Sequence, residues 1–261
     1  MFGLKSRRRR RLLEKPFPPE WETIILRNVP YYGFLPATRR HQLRGLIQVF
    51  LADKPFEGCG GLAITDEIRV TIAAQGCILL LGLERDDLYP KLRSILVYPH
   101  AYVADVTAPQ PDGTVVEGPE DRSGESWTHG YVVLSWDDVL RGASDTTDGR
   151  NVVYHEFAHQ LDNESGAPEG APLLADTLAA AEWARVLGAE YEALCGSVER
   201  RQETLLDPYG AVSPAEFFAV ATEFFFELPV DLKACHPELY GQLRSFYRQD
   251  PASLISEESC C

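Results

Sequence analysis

Between residues 36 and 54, "PATRRHQLRGLIQVFLADK" sets Leu43, Ile47, Phe50 and Leu51 on one face. That is the period of an amphipathic helix, and Pro36 suits its first turn. The pattern returns over 65–83 with Ile68, Ile72 and Leu79, where Thr65 or Asp66 can cap the start. The period then changes. "SILVYPHAYVAD" (94–105) and "GYVVLSWDDV" (130–139) are β-branched and aromatic runs bounded by Pro, Gly and Asp, and so predict strands. The connection between them, 107–126, is turn-rich, with a hairpin signal at Asp112-Gly113. From residue 151 the chain is largely helical, over 151–162, roughly 172–200, 214–227 and near 236–248. The expected architecture is one α+β domain over 16–250, mainly helical, with a small β-sheet next to the helix at 151–162.

Charge changes the picture at the ends. "KSRRRRRLLEK" (5–15) carries seven basic residues and one acid in a chain whose net charge is −14. Like-charge blocks of this kind are solvated, so 1–15 is expected as a disordered arm, with a weak hold on anionic lipid or an acidic partner as the second option. Residues 251–261 are expected as a flexible tail. The acidic body argues against nucleic acid as a partner. The basic run lacks a following apolar segment and so does not read as a secretory signal. "IAAQGCILLLGL" (72–83) is too short to cross a bilayer. The six cysteines form no C-x-x-C pair, which fits reduced thiols in the cytoplasm.

The chemistry concentrates in "NVVYHEFAHQLDNESG" (151–166). On a helix, His155 and His159 lie one turn apart on the same face and can both reach one ion, while Glu156 sits beside them within reach of its water. Chance produces H-E-x-x-H in a chain this long on the order of once in a hundred, so the helical context matters. A hydrolytic zinc site needs a third protein ligand and an open fourth position. The metzincin pattern is excluded, because Asp162 and Ser165 occupy its glycine and histidine positions. Three residues compete for the third place. Glu216 and Glu223 lie seven apart on a phenylalanine-rich helix, and His236 follows. Glu216 has a rival role in the capping box Ser213-Pro214-Ala215-Glu216. Asp162, on the face of the two histidines, is placed to accept the second N–H of one of them. The strand before the metal helix, if it lies at a sheet edge, is suited to pair with an extended peptide.

"HEFAHQLD", followed by "DPYGAVSPAEFFAVATEFFFELP" and preceded by "GESWTHGYVVLSWDDV", resembles the Mlc titration factor A family of bacterial zinc peptidases. The resemblance runs from "PFPPEW" to "FYRQDP", nearly the whole chain. It implies a zincin-like fold of gluzincin type, related in its catalytic core to the anthrax lethal factor protease domain, with one Zn²⁺ per chain. It carries His155, His159 and Glu216 over as ligands, Glu156 as general base, and Tyr209 as the tyrosine seven residues before the third ligand. Glu223 then becomes an outer carboxylate that orients a ligand or holds a substrate amine, against the plainer reading of a helix-surface acid. The implied activity is aminopeptidase-like hydrolysis of peptides, with a possible role in sugar uptake through a transcriptional repressor of the Mlc type. The alternative is a regulatory protein-binding module in which peptidase chemistry is secondary or absent.

Overall fold

The computed structural model describes residues 2–83, 85, 87–109, 115–122, 124–127, 130–166 and 169–258. The first half runs α1 (Phe2–Leu13), α2 (Pro19–Asn28), α3 (Tyr31–Phe34), α4 (Ala37–Asp53), β1 (Phe56–Gly58) and α5 (Asp66–Ile78). Thr65 caps α5 by accepting the Ile68 N–H, and the apolar run that follows is core: Ile72, Ala73, Ala74, Cys77 and Ile78 are fully buried. Strands β2 (Ser94–Tyr98), β3 (Tyr102–Pro109), β4 (Val115–Arg122), β5 (Gly124–Trp127) and β6 (Tyr131–Ser135) come next. The helical half comprises α6 (Trp136–Ser144), α7 (Val152–Asn163), α8 (Thr177–Glu199), a 3-10 turn (Pro208–Ala211), α9 (Pro214–Glu227), α10 (Pro229–Cys235), α11 (Pro237–Tyr247) and α12 (Pro251–Glu258). This is the α+β zincin-like architecture.

The main sheet has the order β1-β2-β6-β5. Strands β1, β2 and β6 are parallel, with Ile95 opposite Val132 and Val97 opposite Leu134. Strand β5 runs antiparallel to β6 and has a partner on one side only among the described residues. Helix α7 packs against β5 and β6, with α5, α6 and α9 also touching it. Its apolar face is Val153, Phe157, Ala158 and Leu161, all fully buried. Phe157 meets Tyr89 at 4.8 Å and Phe50 at 5.8 Å between ring centroids. Truncating a ring so placed costs about 3–5 kcal/mol. Gly76 on α5 is what lets that ring in: a Cβ there would stand 2.9 Å from Phe157.

Several expectations change. The arm expected as disordered carries α1, and acids of the body lie against it: Arg9 reaches Asp53 at 3.1 Å and Asp87 at 2.7 Å, and Arg8 reaches Asp53 at 3.4 Å. The C-terminal tail is helical to Glu258, its start tied by Tyr240, which accepts the Ala252 N–H and donates to Asp250. The strand expected over 94–105 breaks after Tyr98, and its second part pairs with β4 in a separate antiparallel ladder. The hairpin tip at Asp112-Gly113 lies outside the described residues. The strand expected over 130–139 ends at Ser135, whose hydroxyl accepts the Asp138 N–H and starts α6. Strand β6 is also internal, so the edge expected there is β5 instead.

Candidate metal centre

Helix α7 begins where Asn151 turns its side-chain oxygen onto the N–H groups of Val153 and Tyr154, at 3.1 and 3.0 Å. An N-cap of this kind satisfies two otherwise orphaned donors. One turn further on, His155 and His159 present their rings 4.9 Å apart. Helix α9 faces them. Ser213 caps it by accepting the Glu216 N–H at 3.2 Å, and Pro214 takes the first helical position. The Glu216 carboxylate does not close a capping box. It turns to the histidines, with Oε2 2.9 Å from His155 Nε2 and 3.4 Å from His159 Nε2, while the two Nε2 atoms are 3.2 Å apart.

Four ligands about 2.0–2.1 Å from a zinc ion stand roughly 3.3 Å apart along the edges of a tetrahedron. The three separations fall on either side of that value, so these atoms fit one tetrahedral face. Among the described residues His155, His159 and Glu216 form a group able to hold an ion, every ligand atom lying within 4.8 Å of the others. Two imidazole nitrogens and one carboxylate oxygen suit zinc, and a fourth corner is left for solvent. His236 stands elsewhere, its Nδ1 2.8 Å from Glu190.

The charge around the rings points the same way. Burial works against a charged His155, but Glu223, Glu216 and Glu156 outweigh it and hold the imidazole well above its ordinary range. Burial likewise pushes Glu216 up, and the hydrogen bonds and charges of the two histidines bring it down to about 2. A site that gathers positive charge from protons is suited to a divalent cation in their place.

Glu156 is buried beside His155 on α7. Tyr209 is half-exposed, its ring 6.0 Å from that of His155. Asp207 fixes its turn by accepting the Tyr209 N–H at 2.9 Å, and its other oxygen meets Arg150 at 2.7 Å, just before α7. Glu223 accepts from His155 Nδ1 at 2.7 Å with one oxygen and from the Asn151 N–H at 2.5 Å with the other. Both its oxygens are engaged inside the protein, in keeping with a carboxylate that orients a ligand.

Asp162 does not orient a histidine. It is fully buried, and its two oxygens accept the N–H groups of Gly170 and Ala171, each at 2.8 Å. Gly170 lies against the start of α9, where a Cβ would stand 2.3 Å from the Pro214 carbonyl, and its φ of +74° is one that glycine adopts freely. Asp162 thus pins the loop after the metal helix beside the helix that carries Glu216. The face was right and the partner was not, because two backbone donors converge on it through chain folding that spacing cannot reveal.

A model of the family described as glucose-regulated metallo-peptidase M90 matches residues 4–248. The chain belongs to this family. Its relatives include Mlc titration factor A of Klebsiella pneumoniae subsp. pneumoniae, 33% identical over 236 residues that cover 88% of this chain and 86% of that protein. Mlc titration factor A of Pectobacterium atrosepticum is 32% identical, covering 90% and 88%. The uncharacterized protein slr2042 of Synechocystis sp. is 42% identical over 247 residues, 94% of this chain and 89% of that one. M90 membership makes the coarse activity that of a metallopeptidase. No helix among the described residues is long and apolar enough to cross a membrane.

Sequence reasoning passed over Asn151, Gln75 and Glu227. Asn151 Nδ2 donates to Gln75 Oε1 at 2.8 Å and to Glu227 Oε1 at 3.0 Å. The signals were present: a capping residue just ahead of the motif, and a third glutamate one turn after Glu223. Burial raises Glu227 to about 9, opposed by the Asn151 hydrogen bond and assisted by the charges of Glu223, Asp148 and Asp145.

The consequence for stability follows from linkage. Below the ordinary value of 4.5 folded and unfolded chains both hold this proton, so Glu227 adds no pH dependence there. Between 4.5 and about 9 only the folded chain keeps it, and stability falls as pH rises. Glu227→Gln is therefore expected to gain on the parent by a few kcal/mol, to order of magnitude, between pH 5 and pH 8. Denaturant melts at both pH values check this; equal differences at the two would contradict it.

Proposed function

We propose that this chain is a zinc-dependent peptidase of aminopeptidase type, with one Zn²⁺ held by His155, His159 and Glu216. The observation that carries the reading is the near-tetrahedral spacing of three ligand atoms drawn from two helices. Bound zinc supplies a Lewis acid that polarises the scissile carbonyl and lowers the pKa of water to about 7. Glu156 takes the proton of the attacking water and hands it to the leaving amine. Tyr209, half-exposed at the mouth of the site, donates its hydroxyl to the carbonyl oxygen as negative charge develops there. Glu223 keeps the proton of His155 on Nδ1, leaving the Nε2 lone pair for the ion. The open side of β5 offers backbone groups with which an extended peptide can pair.

A second reading draws on the name of two relatives, Mlc titration factor A. On it, the protein binds a repressor of the Mlc type in the cytoplasm and so acts on sugar uptake, with hydrolysis secondary. The two readings separate in one experiment. Purified protein is assayed for metal content and for hydrolysis of short peptides with free and with acetylated N-termini. The expected result is about one zinc per chain and cleavage confined to free N-termini, lost on chelation and restored by Zn²⁺. Hydrolysis that persists after the metal is stripped contradicts the zinc mechanism. A zinc-loaded protein that cleaves none of the panel favours the binding module.

A further inference from the structure

The three glutamates of α9 are joined to the histidine helix by one continuous chain of hydrogen bonds. Glu216 meets both imidazoles. Glu223, two turns on, bridges His155 Nδ1 and the backbone N–H of Asn151. Glu227, one turn further, accepts from the Asn151 side chain. Asn151 is fully committed. Its oxygen faces the N–H groups of Val153 and Tyr154, and its amide nitrogen faces Gln75, Glu227 and the Gly142 carbonyl. A flipped amide would set its nitrogen against two donors, so the orientation is determined by its partners.

Glu227 is 5% exposed, and around it Tyr31, Tyr154 and Phe226 stand beside the polar Gln75 and Asn151. A carboxyl group in such a place costs free energy unless it does something for the fold or for the site. Its second oxygen, like the Tyr31 hydroxyl, has no hydrogen-bond partner among the described residues. Both residues line one small cavity, about large enough for a single water molecule. The oxygen turned to Asn151 is the one that bears on the metal centre.

We infer that Glu227 is a positioning residue of the metal centre: it holds Asn151, whose backbone N–H holds Glu223 against His155. The inference rests on the zinc reading given above. Its physical content is that the His155 ring is aimed by three successive contacts, each with one end on the helix that supplies Glu216. The direct partner of a ligand, here Glu223, typically changes metal affinity by about 10–100-fold, and Glu227 acts through that partner. The role asks for an uncharged acceptor at Glu227, and a glutamine carbonyl meets it.

The test is zinc affinity of the full chain, measured by competition with a chromophoric chelator. Glu227→Gln is expected to bind within about twofold of the parent. Glu227→Met, which removes the acceptor, is expected to bind more weakly, by up to the roughly 10–100-fold that a direct partner of a ligand contributes. Glu223→Gln is expected to weaken binding as well. Combining it with Glu227→Met should add almost nothing, because both act on His155 by the same route. Asn151→Ser keeps a helix cap but cuts the link to Glu227, and should weaken binding even if the methionine variant does not fold. Independent, additive losses, or parental affinity in folded Glu227→Met or Asn151→Ser, overturn the inference while leaving the zinc reading intact. A parent that takes up no zinc overturns both.

Discussion

Glu156→Gln is expected to keep its zinc and to lose peptide hydrolysis by about 10²–10⁴-fold, the range that a positioned general base contributes. The substitution preserves size and hydrogen-bonding capacity while removing the basic oxygen. Glu156 is buried on α7 beside His155 but is not one of the three clustered ligand groups. Metal content should therefore match the parent, and the loss should appear in kcat. The buried amide also lacks the charge with which Glu156 helps to hold His155 protonated in the metal-free protein, so the metal-free variant should protonate His155 at lower pH. Repressor binding, if that is the protein's main activity, should be unchanged. A variant that turns over peptides at the parental rate removes Glu156 from the chemistry.

Glu216→Ala should abolish stoichiometric zinc, with an affinity loss beyond the roughly 10–100-fold expected of outer partners. The reason is electrostatic as well as geometric. Glu216 is ionised far into the acid range, down to about 2, and it alone supplies the anionic ligand to a pair of imidazoles. The helix that bears it should survive the change, because Ser213 accepts the Glu216 backbone N–H whatever the side chain is. Metal analysis should show the loss, with circular dichroism unchanged. Stoichiometric zinc in a folded Glu216→Ala protein would mean that the third ligand is another group, and would break the link between α7 and α9 on which the mechanism depends.

Much of the fold was legible because amphipathic period and end signals are local. The helices around 36–54, 151–162 and 214–227 correspond to α4, α7 and α9 within a residue or two at each end. Where the prediction failed, a local signal was overridden by something distant or was read to the wrong length. The arginine block lies in α1, with Asp53 and Asp87 opposite Arg9. The run after Gly130 turns from strand to helix at Ser135, an N-cap signal placed inside a β-branched stretch. Candidate chemistry divides in the same manner. The spacing of His155, Glu156 and His159 is a property of one helix, and residues four apart must share a face.

What the sequence determined on its own was therefore the contents of each helix: two imidazoles and two carboxylates on one, three glutamates on another. It also set the caps, Asn151 and Ser213, that orient their first turns. Only the tertiary structure decided which glutamate meets the imidazoles, which stands behind His155, and that Asp162 serves a loop. Those choices depend on how α9 lies across α7, and that crossing is fixed by buried contacts between residues some 60 positions apart. Short-range periodicity carries no information about such contacts.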